Sequence, residues 1–490
     1  MIPASSPRRV FLLVLAAALL LQTAWILALP AFRGIDEFDH VYKAEAVAHG
    51  QLFDHGAPAE DGRGELLEVP EDVVAAASAV CKSYAYTGPD NCNPAEHLSG
   101  DTVTVASGAA TYNPTYYAVV GLMAQPFSGA GTVFAIRAFT ALLAALLLAW
   151  AAVVTSGWAR NGWPLLALLV SATPVLVYST TIASPNGVGY AAGCLLWAAG
   201  LGLVEQPARP RAAALTTAAV TMMATHSTGV MWVALVVVVI VLLQPLRRWR
   251  ALFRRSTRAL TRAGAVIGLA AAACVSWVLH ARTNSLGPEV DTFGRLELSD
   301  LVTGQVLWAL HTIGAFPMRN EPAPVSVYAL WLVPFVFLLV AGIRAATSRL
   351  RLAALVLLAL WVAVPVTLTV LSFTSEGLAW QGRYALALAV GFPALAGLAL
   401  SRGGRAPRAI HCVIAVTLCA MAQVISCLGV AWKVGGEGLS ASFSDNGPAA
   451  LVLIGILALA GPMLPLLLAR RQGLTPVPAT PVPARSTAAV

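Results

Sequence analysis

The chain has 490 residues, of which 58% are hydrophobic and only 11% charged, and its mean hydropathy is +0.75. Soluble domains are about a quarter charged, so an ordinary globular enzyme is excluded and a polytopic membrane protein is implied. The net charge of +8 does not signal nucleic acid, because the arginines segregate into a few segments between apolar runs. Lysine stands only at 43, 82 and 433, and alanine is abundant. That bias points to a GC-rich bacterial genome of actinobacterial type.

In chain order, Arg8 and Arg9 precede an apolar run over 10–30. The run is longer than a secretory core and lacks a small-residue cleavage site. It reads as an uncleaved first span after a short cytoplasmic N-terminus, 1–9. Further runs able to cross roughly 30 Å of hydrocarbon lie at 132–156, 163–182, 187–204, 212–226, 229–244, 263–281, 326–343, 352–373, 384–400, 409–431 and 449–469. The expected fold is an all-α integral membrane bundle of about twelve transmembrane helices over 10–471, with both termini in the cytoplasm.

Arg247–Arg262 carries seven arginines. By the positive-inside rule it marks 245–262 as a cytoplasmic loop. This parity puts 21 of the 31 basic residues inside, with only Glu205 of the 23 acidic ones. The outside receives a large first loop at 31–131, a second loop at 282–325, and connections at 183–186, 226–228, 374–383 and 432–448. Pro114–Phe127 is apolar but too short to cross, and a crossing there would reverse the parity. It is expected as an amphipathic helix in the outer interface, where its tyrosines are at home. The tail 472–490 is rich in Pro, Ala and Thr and reads as disordered. Internal repeats are not evident and charges within spans are scarce, which disfavours an ion-coupled transporter.

Asp36, Glu37, Asp39 and His40 follow the first span directly. If they open a helix, Asp36, Asp39 and His40 share one face. A carboxylate there suits proton abstraction from a hydroxyl, or holding a divalent cation beside a phosphate. The structural alternative is an acidic helix start, favoured by the helix dipole. Gln381-Gly382-Arg383-Tyr384 opens a span from the outside. Arg383 offers a planar donor fork for phosphate oxygens, with Tyr384 flanking sugar or phosphate; snorkelling with aromatic anchoring is the alternative. Arg137, at the start of the second span, has the same two readings.

Ser184-Pro185-Asn186-Gly187 reads as a tight turn, whose Asn186 would bond a sugar if it lies near Asp36. His226 and Ser227 end a span on the same side and read as interfacial polar residues. The spacing of His40 and His226 does not make a metal site, so no metal ligand is assigned. Cys81 and Cys92 are the only cysteines of the first loop. An oxidising compartment permits their disulfide, worth roughly 3 kcal/mol for a loop of that size. The other five cysteines lie in spans and read as packing residues. No phosphate-cradling or dinucleotide-binding glycine pattern occurs, so cytoplasmic nucleotide chemistry is not expected.

An outside first loop that opens with adjacent acids resembles the GT-C class of membrane glycosyltransferases, in which such an acid is the catalytic base. More closely, the chain resembles a bacterial family of predicted membrane proteins known only as domain of unknown function two-one-four-two. Five segments carry the likeness: IDEFDH at 35–40 with HG at 49–50, YNPTYY at 112–117, SPNG at 184–187, IGAFPMRNEPAPVSVY at 313–328, and WQGRYALAL at 380–388. Two departures stand out. The family usually has an acid where Asn186 stands, and a Gly-Trp pair near Phe316-Pro317.

The resemblance implies a GT-C-like bundle in the bacterial inner membrane that moves sugar from a polyprenyl-phosphate carrier to an envelope glycan acceptor, with inversion. Asp36, aided by Glu37, would be the base. His40, Asp39, Asn186, Arg383, Tyr384 and Arg137 would bind substrate, the carrier tail would lie among membrane lipids, and a divalent cation is the one cofactor to allow for. Two rivals stand beside this reading. A lipid-linked glycan flippase would need ionisable residues in its spans. A non-catalytic scaffold of glycan assembly draws support from Asn186.

Overall fold

The first apolar run forms α1 (Pro7–Ala28), opened by the Ser6 hydroxyl, which accepts from the Arg9 amide, and by Pro7 at its first position. The computed structural model describes residues 6–53, 56–93, 102–281, 294–318, 321–435, 437 and 443–470. The expected disordered tail, and 282–293 of the expected second loop, lie outside the described residues.

After α1 the chain builds a small unit of α2 (Glu37–Ala48), β1 (Glu65–Pro70), α3 (Glu71–Cys81), α4 (Pro89–Cys92), β2 (Thr102–Ser107) and α5 (Pro114–Ala124). The strands pair antiparallel, with Glu65 opposite Ser107 and Pro70 opposite Thr102. The expected all-α fold therefore gains a two-stranded sheet. Its inward faces bury Leu67, Val69, Val103 and Val105, the alternation a half-buried strand requires. α5 packs on α2 and on the next long helix, burying Tyr116 and Tyr117.

The bundle continues with α6 (Ala130–Trp158), α7 (Trp163–Ser171), α8 (Pro174–Ser179), α9 (Pro185–Glu205), α10 (Arg209–Thr225), α11 (Gly229–Leu242) and α12 (Leu246–His280). There follow α13 (Leu298–His311), α14 (Val325–Ala345), α15 (Ser348–Glu376), a 3-10 turn (Gly382–Ala385), α16 (Leu386–Ala389), α17 (Gly391–Arg402), α18 (Ala409–Gly435) and α19 (Pro448–Arg470). Among the described residues nine helices are long and apolar enough to cross a membrane, or ten if the bent pair made by α11 and the start of α12 counts as one.

Three predicted spans are helical but not continuous spans of that length. The run at 163–182 breaks between α7 and α8, where Thr173 caps a new helix and Pro174 occupies its first turn. α10 has 17 residues and α11 has 14, and α11 turns through 105° into the start of α12. The arginine-rich segment expected as a loop at 245–262 is the first half of α12. Arg, Ala and Leu are strong helix formers, and nothing there interrupts the helix.

Among the described residues four helices begin on a hydrogen-bonding side-chain cap followed by proline: Ser6-Pro7, Asn113-Pro114, Thr173-Pro174 and Ser184-Pro185. In each the cap side chain accepts from one orphan amide, and proline sits where no amide donor is needed. SPNG is thus a helix start and not the expected tight turn. α9 lies at the centre, 94% of its apolar window buried, between α6 and α10. The start of α2, the α8–α9 junction, the α10–α11 turn and the ends of α12 and α15 come together with residues 108–117 of the small unit around two neighbouring hollows. The arginine-rich start of α12 lies at the opposite end of that helix.

Candidate functional site

The turn after α1 decides the roles of two adjacent acids. Asp36 adopts a left-handed backbone (φ 54°) as the cap of α2 and makes no capping hydrogen bond. Aspartate tolerates this conformation better than most residues do. It carries the Asp36 carboxylate into a cavity, whereas Glu37 is fully buried in the bundle.

Glu37 Oε1 accepts from Arg137 Nε at 2.7 Å and from the Ala183 amide at 2.8 Å. Its Oε2 accepts from Arg137 Nη2 at 2.6 Å and from the Gly34 amide at 2.9 Å. Arg137 also donates Nη1 to the Leu29 carbonyl and Nη2 to the Pro30 carbonyl. Both side chains are 0% exposed. This is where the structure places the expected helper base, Glu37, and the expected phosphate contact, Arg137. Their polar atoms are engaged with each other and with backbone, and neither borders the cavity.

The cavity measures about 310 Å³. Asp36 Oδ1 lies 3.3 Å from Arg63 Nη2 and 3.4 Å from the Tyr86 hydroxyl, and Oδ2 lies 3.8 Å from Arg383 Nη2. The Arg383 side chain is 5% exposed, and its Nε has no hydrogen-bond partner among the described residues. It is carried by the 3-10 turn at Gly382, where a Cβ would sit 1.9 Å from the Trp308 carbonyl oxygen of α13. Only glycine permits that approach, and it pins Arg383 at the cavity wall.

Asp39 is buried. Its Oδ1 accepts from the Gly108 amide at 2.6 Å and its Oδ2 accepts from Arg63. Burial raises the Asp39 carboxyl above its usual range, against the pull of Arg63. His40 Nδ1 shares a 2.8 Å hydrogen bond with the Tyr117 hydroxyl. Burial lowers the ring from 6.5 to about 4; Arg383 and Arg63 add to this, and Asp36 and Glu37 oppose it. Between those values the unfolded chain binds a proton that the folded ring does not. Stability should therefore fall as pH drops from about 6.5 toward 4. Thermal unfolding of His40→Gln across that window should show a shallower fall than the parent. Equal slopes would remove His40 as the cause.

Asn186 and the His226–Thr228 turn form one wall, with Thr228 Oγ1 2.9 Å from His226 Nδ1. Glu376, Trp380 and Tyr384 line the cavity as well; the Tyr384 ring lies edge-on to His226 at 6.2 Å and to Trp380 at 5.4 Å. A separate hollow of about 20 Å³ between α10 and α12, lined by Met223, Cys274 and Val278, shares Tyr112 and His226 with the cavity lining. Among the described residues no three His, Cys, Asp or Glu side chains assemble as metal ligands.

Six of the residues singled out from sequence, Asp36, Asp39, His40, Asn186, Arg383 and Tyr384, border this one cavity. Cys81 and Cys92 are disulfide-bonded, with Cα atoms 5.5 Å apart, in the small unit. Arg63, Tyr86 and Glu376 were missed. Arg63 carried a signal: it is an arginine between two glycines on the side expected to hold few basic residues. Tyr112 and Trp380 each open a segment of the resemblance but had been given no role.

A family model described as "Predicted membrane protein (DUF2142)" matches residues 19–392. The match takes in every cavity residue from Asp36 to Tyr384 and leaves out α18 and α19. No curated protein matches the chain.

Proposed function

The chain belongs to this family of predicted membrane proteins, and we propose that its cavity is the active site of a GT-C-type glycosyltransferase using a polyprenyl-phosphate sugar. One observation carries the reading: a carboxylate, Asp36, and a buried guanidinium with an unused donor, Arg383, stand 3.8 Å apart on the lining of a cavity of headgroup size. A buried donor without a partner is uncommon in a folded protein and fits a site that awaits an anion.

In the proposed reaction an acceptor hydroxyl gives its proton to Asp36 while its oxygen bonds to the anomeric carbon. The bond from that carbon to the phosphate oxygen breaks, and the carrier phosphate leaves with the electron pair, held by Arg383. Attack from the face opposite the phosphate inverts the centre. Trp380 and Tyr384 offer aromatic faces to the sugar, and Asn186 a side-chain amide.

A cavity of about 310 Å³ is at the small end of ligand sites. It suits one sugar with its phosphate and gives no support to a polymer flippase. In this reading α7 with α8, α10 and α11 complete twelve crossings, and the cavity faces outward from the inner membrane. α5 and α13 then lie in the outer interface. Their exposed apolar residues include Leu122 and Met123 on α5 and Leu298 and Val302 on α13, and both helices are too short to cross. The scaffold alternative keeps one observation, the amide of Asn186 where the family usually has an acid.

The test is binding of undecaprenyl phosphate to the full chain in nanodiscs. Arg383→Ala should weaken binding roughly 10- to 150-fold, the worth of hydrogen bonds to a charged group. Unchanged binding would sink the phosphate assignment. A deletion strain should also lose one residue from its envelope glycan, which would name the sugar.

A further inference from the structure

Asp36 makes no side-chain capping bond in α2, and neighbouring side chains contact its carboxylate. On the side of the small unit two of those side chains trace to one loop, residues 82–91, closed by the Cys81–Cys92 disulfide. Tyr86, within the loop, donates to Asp36 Oδ1 at 3.4 Å. Its ring stacks on Tyr84 at 5.3 Å, and the Tyr84 hydroxyl donates to the Phe32 carbonyl in the turn that leads to Asp36.

Arg63 lies outside the loop but is gripped by it. Asn91 is 0% exposed. Its Oδ1 accepts from the Arg63 amide at 3.0 Å and the Gly88 amide at 3.2 Å, and its Nδ2 donates to the Arg63 carbonyl at 2.9 Å and the Ala106 carbonyl at 3.0 Å. All four bonds open to an asparagine amide are made. Asp90 Oδ2 accepts from the Glu60 and Asp61 amides at 2.9 and 2.8 Å. A Cβ on Gly88 would fall 2.1 Å from the Asp61 carbonyl oxygen, so the two loops interlock by backbone contact. The Arg63 guanidinium then lies 4.5 Å over the Tyr86 ring and reaches both Asp36 and Asp39.

We infer that this disulfide-closed loop positions the base: Asn91 fixes Arg63, and Arg63 with Tyr86 aims the Asp36 carboxylate into the cavity. Arg63, Tyr86 and Asn91 are positioning residues, and the disulfide belongs to the working site as well as to the stability of the small unit. The inference rests on the transferase reading above.

The test compares Asp36→Asn, Arg63→Gln, Arg63→Lys, Asn91→Ala and Cys81→Ser in the deletion strain. It measures sugar incorporation into the envelope glycan at equal membrane abundance, and undecaprenyl phosphate binding to each full chain in nanodiscs. Arg63→Gln and Asn91→Ala should lower incorporation about 100-fold, as a misplaced reacting group does, with binding within about 3-fold of the parent. Cys81→Ser should move the same way, and Arg63→Lys, which keeps a cation beside Asp36, should recover part of the loss. If Asp36→Asn abolishes incorporation while Arg63→Gln and Asn91→Ala keep it, the positioning inference is overturned. It is equally overturned if these variants lose binding and incorporation together, since they would then act on the carrier phosphate or on the fold. If Asp36→Asn itself keeps full incorporation, the transferase reading fails first.

Discussion

Asp36→Asn is expected to lower sugar transfer by about 10²–10⁴-fold, the usual contribution of a positioned general base. The substitution keeps the size of the side chain and asparagine's tolerance of the left-handed backbone at this position, so the turn and α2 should persist. What disappears is an oxygen able to take the acceptor proton. Arg383 also loses the carboxylate facing it at 3.8 Å, so carrier phosphate should bind as well as in the parent, or more tightly. The measurement is envelope glycan composition by mass spectrometry in the native host, with membrane abundance matched. Full restoration by Asp36→Asn would remove the base. Glu37 could not take its place, because both its oxygens are engaged by Arg137 and by backbone amides inside the bundle. A non-enzymatic role would then lead.

Arg137→Ala is expected to destabilise the bundle by roughly 3–5 kcal/mol, the cost of stranding one member of a buried ion pair. Glu37 would be left as an unneutralised carboxylate at 0% exposure, and the Leu29 and Pro30 carbonyls would lose their shared donor. Replacing both residues by leucine should cost less than the single change, because no lone charge remains. Some loss should persist, since the Gly34 and Ala183 amides lose their acceptor. Denaturant unfolding in mixed micelles measures both variants. Equal losses in the single and double variants would show that packing, not charge, holds the α1–α6 junction together.

The bundle was largely legible because hydropathy is a property of each run taken alone. The places where it misled are places where geometry interrupts composition. The run at 163–182 is uniformly apolar, yet Thr173-Pro174 divides it. The arginines of 247–262 were read as a loop, but they do not prevent a helix. The sheet left a faint trace in the alternation of Thr-Val-Thr-Val at 102–105, too short to stand out beside a 31–131 segment that otherwise reads as helix and loop.

The site was legible as a set of ingredients and not as an arrangement. Asp36 and Glu37 look equivalent in IDEFDH; one backbone angle and an arginine a hundred positions later separate them. Arg63 sits in a glycine-flanked stretch that no motif marks, and its importance comes from Asn91, whose four bonds exist only after folding. Arg383 and Asp36 could be suspected separately, but nothing local says that they meet.

That meeting sets an order on synthesis. Asp36 and Arg383 are 347 positions apart, so at typical elongation rates the acid waits roughly 20–70 s for its partner. Arg63 emerges within a few seconds and Arg137 not long after, so the paired acids of the first turn can be neutralised while most of the bundle is still unmade. The cavity wall at Trp380–Tyr384 closes almost last. A ribosome stalled between the two halves would therefore leave a chain whose charges are already quenched but whose cavity is open on one side.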